Sequence, residues 1–369
     1  MSTKTVRIKI NYNYTYENLS LKSEPMSIHN KYCKDYPDLP TIIPAHKRII
    51  AIGDTHGDYD TTIKILKLAK LIDNNLNWIA EPKDTIVVQV GDQIDRCRPY
   101  IHECIHENAT VDDEASDIKI LKLFTDLHTK ALKKGGAVYS LLGNHEIMNS
   151  QGKLGYVSKK GLDEFSQYYN KNLPPEKRFK PGWDARTFAF KPGNELGKFL
   201  ACTRQSAIIV GSFLFVHAGI VPQLLEKYNI TKRDDIHLIN KAIKMWLLGL
   251  IDESKIDKLL NDHTISPFWP RLLGNMPTKL SSNHKDCKQL LDPVLETLKI
   301  NGMIIGHTPQ FYVNNIGING TCDNKLWRTD HGSSRAFANI EDFFTKKDRS
   351  IQVLEINDNK TMVVLQSSS

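Results

Sequence analysis

Apolar residues in this chain fall into two patterns: short continuous runs that stop at glycine, and longer stripes of helical spacing between them. Arg48-Ile49-Ile50-Ala51 is a run of the first kind and reads as a buried strand. Beyond it, Ile63, Leu66 and Ala69 with Ile65, Leu68 and Ile72 trace a stripe that predicts a helix beginning near Asp60. Thr85 to Val90 is again β-branched and continuous, so the order strand, helix, strand predicts an α/β layer. A helix with Ile120, Phe124, Leu127 and Ala131 on its buried face follows, stopped by Gly135-Gly136. Strands are then expected over Ala137 to Leu142, Ile208 to Val216 and Gly302 to Ile305.

Residues 222 to 262 read as mostly helical, with Trp246, Leu247 and Leu248 as core packing. A helix from about Asp292 carries Pro293 in its first turn, where the missing N–H costs nothing. Near the end, Ile351 to Ile356 and Thr361 to Gln366, joined by Asn357-Asp358-Asn359-Lys360, predict an antiparallel hairpin. Residues 1–45, with a possible strand at Val6 to Ile10, read as an N-terminal extension that straps onto the core. Residues 46–369 read as one domain with inserts at about 97–117, 150–206 and 222–262.

Composition narrows the class. A chain of 369 residues with 40% hydrophobic side chains can bury a substantial core. Its net charge of +7 is spread among interspersed acids and bases, which tolerates an anionic substrate without demanding nucleic acid. The polar N-terminus lacks the apolar region of a signal peptide, and the run Ala207 to Val216 is too short to cross a bilayer. A soluble, cytoplasmic protein with no membrane partner is expected. Six cysteines without paired spacing suggest reduced thiols, and Asn18-Leu19-Ser20 would then be chemically idle.

The chemistry sits where the strands end. Gly53-Asp54-Thr55-His56-Gly57, Gly91-Asp92-Gln93-Ile94-Asp95-Arg96, Gly143-Asn144-His145-Glu146, His217-Ala218-Gly219 and Gly306-His307-Thr308 each follow an apolar run. An Asp or His at one strand end is more often a cap than a ligand, and Asp58 is read as such a helix cap. Five such ends in one α/β sheet can converge beyond the strands' carboxyl termini. Asp54, His56, Asp92, Asn144, His217 and His307 form an oxygen and imidazole donor set without thiolate, suited to two divalent ions such as Mn, Fe or Zn. Asp92 is the natural carboxylate to bridge them, and a bridged pair can hold a hydroxide nucleophile.

In these five motifs, from about residue 47 to 340, the sequence resembles the calcineurin-like metallophosphoesterase superfamily. Asp95-Arg96 and Glu146 resemble its phosphoprotein phosphatase branch. Val216-His217-Ala218-Gly219, Phe268-Trp269-Pro270-Arg271 and Leu326-Trp327-Arg328-Thr329-Asp330 are most similar to the Shewanella-like, bacterial-type protein phosphatases. The resemblance implies a four-layer α-β-β-α sandwich with a dinuclear metal site at the strand carboxyl ends. It places Asp54, His56 and Asp92 on one metal and Asp92, Asn144, His217 and His307 on the other. His145 would be the general acid, oriented by Asp95, and Arg96 would clamp phosphate, with Arg271 as candidate second clamp. Where the branch usually has Gly, Cys97-Arg98-Pro99 follows Arg96, so the adjoining loop is expected to take a different path.

The implied activity is metal-dependent hydrolysis of phosphoserine, phosphothreonine or phosphotyrosine in proteins or peptides by direct attack of a metal-bridging hydroxide. Two rivals are a nuclease or dinucleotide polyphosphate hydrolase on the same fold, and a metallated pseudophosphatase that only binds. Cys97, His102, Cys104 and His106 crowd one insert, but their spacing matches no zinc motif and a reduced polar loop is the default. Metal identity, residue preference and oligomeric state are not set by these motifs.

Overall fold

Successive side chains of a strand point to opposite faces, so a strand that is apolar at every position must be covered on both sides. The computed structural model describes residues 25–170, 174, 182–338 and 350–367; the strand expected at Val6 to Ile10 lies outside them. Twelve strands are described, in chain order β1 (Ile42–Ile43), β2 (Arg48–Ile52), β3 (Ile86–Gln89), β4 (Ala137–Leu141), β5 (Arg204–Gln205), β6 (Ala207–Val210), β7 (Phe213–Val216), β8 (Gly302–Ile305), β9 (Asn319–Thr321), β10 (Leu326–Arg328), β11 (Gln352–Asn357) and β12 (Thr361–Gln366). They form two six-stranded mixed sheets, ordered β12-β11-β2-β3-β4-β5 and β1-β6-β7-β8-β10-β9.

Alternation sorts the side chains into layers. Ile49 and Ala51 face inward and meet Ile208, Val210, Phe213 and Phe215 of the second sheet. Ile50 and Ile52 face outward beneath the helices Tyr59–Leu68 and Asp117–Leu132, packing with Leu66, Phe124 and Leu127. On the far side, Ile209, Leu214, Val216 and Ile305 lie under helices that include His237–Leu247, with Trp246 and Leu247 buried as expected. The result is the expected sandwich, helices outside and two sheets between.

One expected strand is two. Ile208 to Val216 turns back at Gly211-Ser212, where Gly211 takes φ +56°, and β6 pairs antiparallel with β7, Ala207 opposite Val216. Both arms are apolar on both faces, so no polar residue except Ser212 marks the turn. The C-terminal hairpin forms as expected: Asp358 and Asn359 supply the left-handed turn (φ 51° and 53°), and β11 adds antiparallel to β2. Asp58 caps the helix Tyr59–Leu68, accepting from the Thr61 N–H at 3.0 Å. It has a second task the sequence did not suggest, pairing with Arg335 of the segment after β10, which also meets Glu114.

The reduced-thiol expectation is overturned. Three disulfides join Cys33 to Cys202, Cys97 to Cys104 and Cys287 to Cys322, across Cα separations of 5.2, 5.8 and 5.7 Å. Two of the pairs lie 169 and 35 residues apart in sequence, so only the fold reveals them. The bond between Cys97 and Cys104 also removes the thiolates a zinc site in that insert would need, leaving His102 and His106 stacked with ring centroids 4.1 Å apart. Cys33–Cys202 fastens the chain ahead of β2 to the helix Glu195–Thr203, and the parallel pairing of β1 with β6 fastens it to the second sheet. Among the described residues no helix is long and apolar enough to cross a membrane. Thiol titration of the unfolded, unreduced protein should detect none of the six cysteines, and all of them after reduction. Cys202→Ala should lower unfolding free energy by about 2–5 kcal/mol, measured as a lower denaturant midpoint.

Candidate metal centre

The carboxyl ends of β2, β3 and β4 in one sheet and β8 in the other open onto a common cleft of about 600 Å³, and His217, after β7, is buried beside Asp92. Each end delivers its residues through a tight turn. His56, Asp92, Asp95 and His307 all take left-handed φ (41°, 53°, 73° and 67°), a conformation that costs energy for a side-chain-bearing residue and clusters at functional sites. The Glu146 carboxylate holds the turn after β3, accepting the N–H groups of Asp92, Gln93 and Gly143 at 3.0, 2.8 and 2.7 Å. Gly143 must be glycine because a Cβ there would collide with Asp92 Oδ1.

The expected donors come together. Asp92 Oδ2 lies 3.2 Å from His217 Nε2 and 3.9 Å from His56 Nε2, and Asp54 Oδ2 lies 3.8 Å from His56 Nε2. Asn144 Oδ1 sits 3.0 Å from His217 Nε2 and 2.9 Å from His307 Nδ1. The far nitrogen of each ring meets a backbone carbonyl: His56 Nδ1 that of Ile94 at 3.3 Å, His217 Nδ1 that of Val90 at 2.9 Å, His307 Nε2 that of Trp269 at 2.9 Å. A carbonyl can only accept, so a neutral ring places its proton there and turns its other nitrogen to the centre, the arrangement of metal-ligating histidines; at His56 that nitrogen meets Arg98 NH2 at 2.6 Å. Two clusters of donor atoms, His56/Asp92/His145 and Asp92/His217/His307, each lie within 4.8 Å and share Asp92. Buried oxygen and imidazole donors grouped around a shared carboxylate fit divalent cations.

Charge crowding tells the same story. Burial, then Asp330 and Asp92, pushes the Asp54 carboxyl well above its ordinary range. Asp330, after β10, is pushed to about 6 by burial and by Asp92, and its Oδ2 has no hydrogen-bond partner. Burial works to raise Asp92 too, but the histidines 217, 145 and 56 outweigh it and hold this carboxylate well below its usual range. Burial and Arg98 drive His56 well below the imidazole range; burial and Arg271 do the same to His307. Burial works to lower His217, but Asp92 outweighs it and holds this imidazole above its ordinary range, so a cation binding there would displace its proton.

Beside the donors, His145 Nδ1 lies 2.8 Å from Asp95 Oδ2, leaving Nε2 toward the cleft 3.8 Å from Asp92 Oδ2. Arg271 lines the cleft and donates to the His307 carbonyl at 2.9 Å. Arg96 is turned elsewhere: it is buried and donates to the Val111 carbonyl at 2.9 Å, away from the cleft. Arg98 occupies the cleft instead, held by the carbonyls of Asp95 and Cys97 at 3.2 and 2.8 Å, with NH2 2.6 Å from His56 Nε2. Its guanidinium lies over the rings of Phe337 and Tyr156, 4.8 and 5.5 Å to the centroids. The departure at Cys97-Arg98-Pro99 was the only sequence signal for Arg98. Asp330 closes the stretch Leu326-Trp327-Arg328-Thr329-Asp330, whose pattern suggests kinship but no role for the carboxylate.

Comparison with known proteins agrees with the geometry. The calcineurin-like phosphoesterase family matches residues 47–311. An uncharacterized protein of Acanthamoeba polyphaga mimivirus is 40% identical over 256 residues, spanning 66% of this chain and 98% of its own. Shewanella-like protein phosphatase 2 of Arabidopsis thaliana is 29% identical over 349 residues, 86% of this chain and 80% of its own. Among solved structures, the cold-active protein-tyrosine phosphatase of a psychrophilic Shewanella species has a TM-score of 0.60 at 22% identity, covering 89% of this chain and 83% of that one, a likeness of fold. The protein purified with divalent metal should carry about two equivalents per chain. Asp92→Asn should lose most of both and His307→Ala only one, measured by elemental analysis; equal retention in both variants would contradict a shared Asp92.

Proposed function

The chain belongs to the calcineurin-like phosphoesterase family, and from that premise we propose that it is a phosphatase that hydrolyses phosphomonoesters in proteins, with phosphotyrosine as preferred residue. The observation that carries the reading is the set of imidazole nitrogens converging on a shared Asp92 beside the His145–Asp95 pair. Asp54, His56 and Asp92 would hold one divalent cation, and Asp92, Asn144, His217 and His307 the second. When bound, the pair supplies activation of water at neutral pH and charge neutralisation at the phosphoryl group.

The remaining steps belong to the protein's own side chains. Arg98 and Arg271 reach the cleft from separate loops and grip phosphoryl oxygens with their planar forks. In this reading Arg98 takes the clamp role that the motif assigned to Arg96. Asp95 fixes the His145 ring through Nδ1, so that Nε2 delivers a proton to the departing oxygen. Tyr156, Trp269, Tyr312 and Phe337 wall the cleft, and such aromatic faces favour a flat phosphorylated ring over a serine side chain. The Shewanella protein of similar fold is named a protein-tyrosine phosphatase, which is in keeping with that preference.

Assay on matched phosphotyrosine and phosphoserine peptides should show higher kcat/KM for the first, and chelation should abolish turnover of both. Activity that survived complete metal removal would exclude the reading. His145→Asn should lower kcat by about 10²–10⁴-fold with bound metal unchanged.

Arg98→Ala should cost about 1.5–3 kcal/mol in transition-state binding, the worth of a charge-assisted hydrogen bond, seen as a fall in kcat/KM. Arg96→Ala, if it folds, should leave substrate binding close to that of the unaltered protein. The reverse order would return the clamp to Arg96.

A further inference from the structure

Behind His145 lies a buried cluster to which the reaction so far gives no task. Arg186 belongs to the helix Trp183–Phe190 of the 150–206 insert and is completely buried. Its guanidinium has three separate partners. NH2 donates to Asp95 Oδ1 at 2.9 Å, Nε donates to Asn149 Oδ1 at 2.6 Å, and NH1 forms an ion pair with Asp117 at 2.7 Å. Two neighbouring aromatic rings pack against the guanidinium, Phe165 at 4.6 Å and Phe190 at 5.3 Å from its carbon. Asn149 closes the network: its amide donates to both Asp95 oxygens at 2.9 and 3.0 Å and to the His145 carbonyl at 2.9 Å.

We propose that Arg186 is a positioning residue for proton delivery, fixing Asp95 so that the His145 ring points Nε2 at the leaving oxygen; the inference rests on the general-acid reading above. Asp95 has two oxygens and two tasks. One oxygen receives the imidazole N–H, and the carboxylate can hold that ring at one angle only if its own plane is fixed. Asn149 alone straddles both oxygens and lets the carboxylate pivot; the second donor, Arg186 on Oδ1, sets its rotation. A rigid planar fork packed against two aromatic rings can do this, whereas the single ammonium of lysine cannot reach Asp95, Asn149 and Asp117 together. Because Arg186 comes from an insert rather than from a strand end, the insert takes part in the reaction without touching substrate.

The test uses leaving groups. A nitrophenolate departs without a proton, whereas phenolate from phenyl phosphate needs one. In the metal-loaded protein, Arg186→Met should lower kcat on phenyl phosphate by about 10²-fold, the usual cost of a misplaced catalytic group. On dinitrophenyl phosphate kcat should be nearly unaffected, and KM and bound metal should stay unchanged on both substrates. His145→Asn should show the same split, and the double variant should lose little more than His145→Asn alone, since the two side chains act on one step.

Removing Arg186 leaves two buried carboxylates with one counter-charge fewer, so the variant Arg186→Met/Asp117→Asn, which deletes one charge of each sign, repeats the test in a background built to fold. Equal loss on both substrates, loss of metal, or additive losses with His145→Asn would overturn the role of Arg186. If His145→Asn itself showed no leaving-group dependence, the general-acid reading would fall instead, and this inference with it.

Discussion

The cleft is governed by the placing of three carboxylates, Asp54, Asp92 and Asp330, within reach of one another and out of water. An ionised carboxylate in such surroundings is tolerated only when paired or coordinated. Backbone N–H groups carry part of the charge: His307 donates to Asp54 at 3.0 Å, His145 to Asp92 at 3.0 Å and Gly332 to Asp330 at 3.1 Å. His307 and Gly332 aim theirs from the left-handed region (φ 67° and 76°), whereas His145 donates from the first turn of the helix Asn144–Ser150. Cations offset the remainder. The strained turns, the tightly packed Gly143 and the two converging sheets all serve this electrostatic demand.

The candidate donors were legible in sequence because each requirement leaves a local mark. A buried strand writes a continuous apolar run, the tight turn after it writes glycine, and the donor stands beside that glycine, as at Gly53-Asp54 and Gly306-His307. Partners brought together by tertiary packing write nothing local. Arg186 meets Asp95 across 91 residues and Cys33 meets Cys202 across 169, and neither spacing carries a periodicity. The hairpin of β6 and β7 was hidden for the opposite reason, since both arms are apolar on both faces and the turn needs only Gly211 and Ser212.

Arg96 and Arg98 show how a motif can mark a place and miss the side chain. Both belong to the turn after β3, but the loop beyond them is closed on itself by Cys97–Cys104, and Cys97 N–H donates to the Tyr156 carbonyl at 3.1 Å. That path turns Arg96 toward the carbonyl of Val111 and Arg98 toward His56. The two inserts thus furnish much of what surrounds the donors: Arg98 and Tyr156 at the cleft, Arg186 behind the His145–Asp95 pair.

The pairing of β2 with β11 has a consequence for the order in which the molecule can be made. β2 delivers Asp54 and His56, yet its outer neighbour in the sheet arrives only near the C-terminus: Arg48 meets Glu355 across 307 residues, and Ile50 lies opposite Glu355 in the register. A chain emerging from the ribosome N-terminus first therefore presents β2 with this edge open until β11 is made, by which point all six candidate donors are already translated. Only when the last hairpin is released is that edge closed. Truncation there removes no donor, yet it strips the neighbour from the strand on which the first of them stand.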